Sequence, residues 1–226
     1  MMQTLSLASA GVLAGGASAT PIAYPGQYWD QMFNIWLIVA VGIYLIVALP
    51  MLYFLVKYRY RRGVNEQGAQ GAHGEEGPGI GIEVLWTVIP LIIVIYLATQ
   101  SLVFYTSQRT PPADSLPVKV ESAMWSWNFE YSNGKKSTTD LYVPVGKPVK
   151  LLLSSRDVIH AFHIPDAKTM EDAVPGRVTH MWFQFNKTGE YRAFCREYCG
   201  TAHAFMRATI KVVTSEEFEQ WLKQPG

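Results

Sequence analysis

Charge is what this sequence has least of. Asp, Glu, Lys and Arg make up 16% of its 226 residues, against roughly 25% in an ordinary soluble domain. Part of the chain therefore belongs in a solvent other than water. No excess of one sign exists either: 19 Lys and Arg stand against 18 Asp and Glu, a net charge of +1. That leaves no global basic field to hold nucleic acid. Cysteine is nearly absent, and two residues exclude a disulfide-dense secreted scaffold. No low-complexity tract is long enough to mark a disordered chain. No Cys-x-x-Cys-His occurs, so no covalently attached c-type haem is expected in this chain.

What is abundant is uncharged apolar sequence, and it comes in two blocks. Residues 33–56 and 84–104 carry no charged side chain. Each matches the ~20 apolar positions of a membrane helix. Pro50 lies inside the first and Pro90 inside the second, and a kink is expected at each. A buried core helix is the plainer reading of either block, but two such lengths close together favour a membrane hairpin. Before the first span the only charge is Asp30, whereas Lys57, Arg59, Arg61 and Arg62 follow it directly. The positive-inside rule therefore puts the connector, residues 57–83, in the cytoplasm and both termini outside. Residues 63–79 are rich in Gly, Gln and Glu and read as a loose loop. Residues 1–27 form an N-terminal segment. Its Ala17-Ser18-Ala19 ends like a signal-peptidase site, but no basic residue precedes the apolar stretch.

Residues 109–226 are different. With 15 Lys and Arg and 13 Asp and Glu, they form a water-facing domain. Short β-prone runs recur at Val118–Ser122, Trp125–Tyr131, Thr138–Val143, Val149–Ser154, His180–Phe185, Glu190–Phe194 and Phe205–Val213. Turns such as Asn133-Gly134, Pro175-Gly176 and Thr188-Gly189 separate several of them, the signature of a β-sandwich or barrel. Residues Glu216–Lys223 read as a terminal helix with Ser215 as its N-cap.

The chemistry concentrates between Cys195 and Met206, where Cys195, Glu197, Cys199, His203 and Met206 fall within twelve residues. Thiolate and thioether are soft donors that favour copper over hard cations. A β domain with an upstream histidine, here His160, and a late Cys-His-Met loop has the arrangement of a blue-copper protein. One cysteine suffices for a mononuclear site. Two thiolates can bridge two coppers and share one electron between them. Zinc can also take two Cys and a His, but a Met ligand and a β-sandwich host suit it poorly. A disulfide between Cys195 and Cys199 is the remaining structural reading.

At every position of its Cys-x-Glu-x-Cys-x3-His-x2-Met pattern, the loop resembles the binuclear copper loop of subunit II of haem-copper cytochrome c oxidases. Trp125-Ser-Trp127-Asn-Phe-Glu-Tyr131, Asp157-Val-Ile-His160, Ala173-Val-Pro-Gly-Arg177 and Glu83-Val-Leu-Trp86-Thr-Val-Ile-Pro90 match as well, in order and spacing. The resemblance implies a membrane-anchored all-β fold: a two-helix transmembrane hairpin, residues 28–108, followed by a cupredoxin-like β-sandwich or barrel, residues 109–226. It implies that Cys195 and Cys199 bridge two coppers, that His160 and His203 each bind one, and that Met206 is a weak ligand. Glu197 is expected to ligate through its carbonyl and to hold, with its side chain, a magnesium ion against subunit I. Trp125 is the implied point of electron arrival from cytochrome c or a similar small carrier. Glu83 is the implied mouth of a proton path, and Arg177 is expected near the haem propionates of subunit I. Oxygen reduction to water and most proton translocation then belong to subunit I, with further oxidase subunits beside it. The implied location is a bacterial inner membrane, with the C-terminal domain on the periplasmic face. The alternatives are the corresponding subunit of a haem-copper nitric oxide reductase and a membrane-tethered mononuclear cupredoxin.

Other residues read more plainly. His163, His180 and His73 are expected to be ordinary polar residues. Met124 stands where the family commonly has Gln, and Met170-Glu171-Asp172 also departs from its pattern.

Overall fold

The apolar blocks become two long helices whose side chains have almost nothing of their own chain to pack against. In the computed structural model, which describes residues 23–60 and 79–224, α1 spans Gly26–Lys57 and α2 spans Ile80–Arg109. Both continue through their internal proline, Pro50 and Pro90. Tyr28 at the start of α1 meets Phe104 near the end of α2, so the pair runs antiparallel. Only Gly26 and Ala48 of α1 and Leu97 of α2 are buried, while Ile38 and Ile46 are each 73% exposed. A core helix of a soluble domain would hide these surfaces, so both helices are long and apolar enough, and bare enough, to cross a bilayer. Residues 1–22, with the leader-like stretch, and 61–78, with Arg61, Arg62, His73 and most of the connector, lie outside the described residues.

Period-two alternation builds the remainder. The strands are β1 (Ala23–Tyr24), β2 (Leu116–Ala123), β3 (Ser126–Tyr131), β4 (Lys136–Thr138), β5 (Asp140–Pro144) and β6 (Val149–Ser155). There follow β7 (His160–Ile164), β8 (Thr169–Ala173), β9 (Thr179–Phe185), β10 (Gly189–Cys195) and β11 (Arg207–Val213). They form a six-stranded sheet ordered β1-β9-β6-β2-β3-β4 and a five-stranded sheet ordered β5-β11-β10-β7-β8. The pairs β2–β6 and β5–β11 are parallel and the others antiparallel. Inward positions alternate as the pleat requires: Trp127 and Phe129 on β3, Leu151 and Leu153 on β6, and Ile210 and Val212 on β11 are all fully or nearly buried. The fold is a cupredoxin-like sandwich carried on two apolar helices.

Three local readings differ from the sequence expectation. Strands β7 and β8 were not among the expected runs; β8 is the charged stretch Thr169–Ala173, which takes strand form through its ladder with β7. Trp125 sits in the turn between β2 and β3 rather than in a strand. Helix α3 (Ser215–Lys223) is capped by Thr214, not Ser215: the Thr214 hydroxyl accepts from the Glu217 amide, and the Glu217 carboxylate accepts from the Thr214 amide.

The hairpin is tied to the sandwich at one end. The His180 ring donates to the Arg109 carbonyl at 3.1 Å, and the Trp182 indole donates to the Ser107 carbonyl at 3.2 Å. Ion pairs Arg109–Glu171 and Lys168–Asp30 add to this. Gly26 starts α1 so close to the Ala167 carbonyl that a Cβ there would stand 2.9 Å from the oxygen.

Candidate metal centre

Three neighbouring strands of the five-stranded sheet bring the loop and the distant histidine together. Cys195 is the last residue of β10, and Met206 directly precedes β11. The loop between them is closed by the Cys195 amide donating to the Met206 carbonyl at 3.1 Å. His160 is the first residue of β7, which lies beside β10, and the Arg196 amide donates to the Ala161 carbonyl at 3.0 Å. A 3-10 turn, His203–Phe205, points His203 back at the loop.

The side chains converge. Cys195 Sγ stands 3.8 Å from Cys199 Sγ, 3.8 Å from His160 Nδ1 and 3.3 Å from the Glu197 carbonyl oxygen. Cys199 Sγ stands 3.5 Å from His203 Nδ1 and 3.8 Å from Met206 Sδ. Both thiols are free, since 3.8 Å is far beyond the ~2.05 Å of a disulfide. His160, Cys195, Cys199 and Met206 are buried, and His203 is half-buried. Burial pushes the Cys199 thiol up to about 12, with the neighbouring Cys195 adding to the shift. Such a thiol ionises at neutral pH only when a cation replaces its proton.

The histidine is held from behind. The His160 ring bonds through Nε2 to Asp157 Oδ1 at 2.8 Å, which leaves Nδ1 facing the sulfurs. Burial works to raise the Asp157 carboxyl, but the His160 ring and the Met124 and Val158 amides outweigh it and hold it below the usual carboxylate range. The sequence places Asp157 in the Asp157-Val-Ile-His160 motif, but the motif alone assigns it no role. A carboxylate three residues before a ligand histidine was the available signal.

Trp125 is 40% exposed and its indole donates to the Cys199 carbonyl at 3.1 Å. Gly200 adopts φ +114, and a Cβ there would meet the Trp125 ring at 3.3 Å. The tryptophan thus lies directly on the backbone of the loop. Trp127, two residues on, is wholly buried and packs edge-on against His160 and Phe162.

The other expected residues lie elsewhere. The Glu197 side chain is exposed and lines a groove of about 920 Å³ together with Arg196, Asp172 and His163. Arg177 is exposed on the loop after β8, whose Ala173 pairs with His160. His163 faces the groove rather than the thiols; burial, then the Arg196 charge, lowers its pKa below the ordinary imidazole value. Glu83 sits in the first turn of α2, about 39 Å along the helix from Arg109.

A family model described as cytochrome c oxidase subunit II, periplasmic domain, matches residues 135–213, and one described as cytochrome c oxidase subunit II, transmembrane domain, matches residues 16–104. The chain belongs to the cytochrome c oxidase subunit II family. Among curated relatives, cytochrome c oxidase subunit 2 of Cereibacter sphaeroides is 29% identical, covering 93% of this chain and 80% of the relative. That of Thermostichus vulcanus is 30% identical over 86% of this chain and 74% of the relative. Among solved structures, the periplasmic domain of subunit II of cytochrome oxidase (CoxB) of Bradyrhizobium japonicum shares 34% identity, with a TM-score of 0.49, covering 50% of this chain and 95% of that one.

Subunit II chains work as part of a haem-copper oxidase complex, and this one is membrane-anchored through its hairpin. The family implies a copper centre, and the donor set here fits it. Metal–thiolate bonds are near about 2.3 Å, so sulfurs 3.8 Å apart can share a metal without rearrangement. His160, Cys195 and Cys199 alone already form a buried group with ligand atoms within 4.8 Å of one another. Soft sulfur with imidazole is the ligand chemistry of copper.

Proposed function

We propose that this subunit takes single electrons from cytochrome c, or a similar small carrier, and hands them to haem in subunit I for the reduction of O2 to water coupled to proton translocation. The observation that carries the reading is the symmetry of the donors: two reduced, buried sulfurs, each facing an imidazole of its own. A mononuclear blue site needs one thiolate, and it would leave the second sulfur and the second imidazole without a task.

Cys195 and Cys199 would hold both metals, His160 and His203 would each supply an imidazole, and Met206 and the Glu197 carbonyl would complete the set. Bound there, two coppers supply a shared one-electron store. The chain contributes the rest. A buried, prebuilt set of donors limits how far any ligand has to move when the charge changes. Trp125 is the point of electron arrival, because its indole is open to solvent and bonded to the Cys199 carbonyl. The Glu197 carboxylate, exposed beside the groove, would hold a magnesium ion toward subunit I. Arg177, exposed on the loop after β8, would lie near the haem propionates of subunit I, and Glu83 opens a proton path from the opposite membrane face. Lys57 ends α1 and Arg59 follows it at the connector, which puts the connector on the cytoplasmic side and the sandwich outside, and the membrane we infer is a bacterial inner membrane.

Metal analysis and electron paramagnetic resonance of the assembled complex test the reading. Two coppers in this chain with a mixed-valence signal are expected. One copper with a single intense blue band would replace it with the mononuclear cupredoxin.

A further inference from the structure

The carboxylate of Asp157 spends both of its oxygens on groups that matter to the site. Oδ1 accepts from His160 Nε2 at 2.8 Å, from the Val158 amide at 2.7 Å and from the Ser155 hydroxyl at 3.2 Å. Oδ2 accepts from the Met124 amide at 2.6 Å, 33 residues away in sequence. A residue that only shaped its own loop would need the Val158 and Ser155 contacts and no others.

We propose that Asp157 is a positioning residue for electron transfer: one oxygen fixes the His160 ring with Nδ1 toward the thiols, and the other fixes the turn that carries Trp125. This rests on the copper assignment of His160 and on electron arrival at Trp125.

The physical case has two parts. His160 is fully buried, and Asp157 is the hydrogen-bond partner that the described residues give its Nε2. A carboxylate there selects the Nε2–H tautomer, leaves the lone pair on Nδ1 and makes that nitrogen a stronger donor. A stronger donor favours the oxidised metal, so the carboxylate lowers the reduction potential of whatever Nδ1 binds. Second, Met124 immediately precedes Trp125, whose indole donates to the Cys199 carbonyl. The turn is therefore held at two points, one on the carboxylate that orients His160 and one on the backbone of Cys199. The surface indole and the buried imidazole share one anchor, and electron transfer depends on their separation more than the fold does.

The test uses the full chain in the assembled oxidase. Asp157→Asn keeps the shape and removes the charge; the amide can still accept from His160 but meets the Met124 amide with poorer complementarity. Copper content is expected to hold, the reduction potential to rise, the paramagnetic and visible signals to shift, and electron uptake from reduced cytochrome c to fall about 10- to 100-fold. Asp157→Ala is expected to add a loss of copper affinity in the same range, about 10- to 100-fold. Ser155→Ala removes one donor to the same Oδ1 but leaves the charge and the bonds to His160 and the Met124 amide, so it should shift the potential and spectrum far less than Asp157→Asn. An unmoved potential and spectrum in both Asp157 variants would overturn the proposal, as would a shift in Ser155→Ala equal to that in Asp157→Asn. Absence of the mixed-valence signal from the unsubstituted complex is a separate result: it would overturn the copper assignment itself.

Discussion

The hairpin and the sandwich are built from similar apolar residues put to opposite uses. In the sandwich, Leu141, Leu151, Phe162 and Phe183 are at 0% exposure. In the hairpin, Leu52, Tyr53, Leu55 and Val56 are all more than half exposed. One region satisfies its apolar surface internally and the other leaves it for lipid and neighbouring subunits. Chemistry follows the same division. The sandwich holds sulfur and imidazole in a mostly buried, prebuilt pocket, while the two described helices carry two acidic groups, Asp30, paired with Lys168 of the sandwich, and Glu83, at the far end. The anchor and the redox site are therefore separable, and that separation can be attacked.

The hardest blow is Cys199→Ser. The substitution removes one of the two sulfurs proposed to bridge the metals and the neighbour of both His203 Nδ1 and Met206 Sδ. Electron uptake should be abolished and the paired-copper signal lost, while both helices stay inserted and the sandwich stays folded. Metal analysis, paramagnetic resonance and extraction of membranes at high pH measure the three. Full turnover with cytochrome c in this variant would refute the ligand assignment, and loss of insertion would refute the separation of regions.

A matched pair of truncations measures the two solvents directly. Leu151→Ala empties a fully buried position on β6 and should cost about 2–5 kcal/mol. Leu52→Ala, at a position 53% exposed on α1, should stay within about 0.5 kcal/mol, because lipid refills the space and is as apolar as leucine. Thermal unfolding of the solubilised chain followed by near-ultraviolet circular dichroism reports both. Equal losses would mean that Leu52 packs against protein rather than lipid.

How much of this was readable beforehand depended on whether the signal was local. The spans were plain because two charge-free runs need no partner to be recognised. Their helices nevertheless extend past the apolar limits, to Gly26 and Arg109, because polar ends such as Asp30 and Arg109 find ion pairs on the sandwich that no local pattern shows. Strand β8 was hidden for a related reason: Met170-Glu171-Asp172 has weak strand propensity and pairs only because β7 lies alongside. The copper-type loop was legible since five donor residues fall within twelve positions. Asp157 was not, because a hydrogen bond to one ring nitrogen has meaning only once the other nitrogen is seen to face the sulfurs.

Within the sandwich, Trp125 and Trp127 give a finer contrast. They are two residues apart, one in a turn and half open, the other wholly buried against His160. Trp125→Phe keeps a ring but loses the bond to the Cys199 carbonyl. Electron uptake from cytochrome c should slow, while copper content and melting temperature hold nearly constant; stopped-flow kinetics and metal analysis decide. If copper and rate fell together, Trp125 would be packing for the loop rather than a path into it.

Glu83→Gln should have the smallest effect, and it probes the far end of the hairpin. Glu83 lies in the first turn of α2, where an acidic side chain also complements the helix dipole by about 0.3–1 kcal/mol. Losing that contribution leaves the helix formed, so a change in rate cannot be laid to folding. Steady-state turnover with cytochrome c is expected to fall, whereas the copper spectrum and the first electron uptake stay as in the parent, because the site lies on the sandwich beyond the other end of α2, whose Arg109 is about 39 Å along the helix from Glu83. The pairing of a slowed cycle with an untouched metal signal is what a proton-path carboxylate produces and a dipole partner does not. A turnover equal to the parent would leave Glu83 as a helix-start residue and confine the chemistry of this chain to its sandwich.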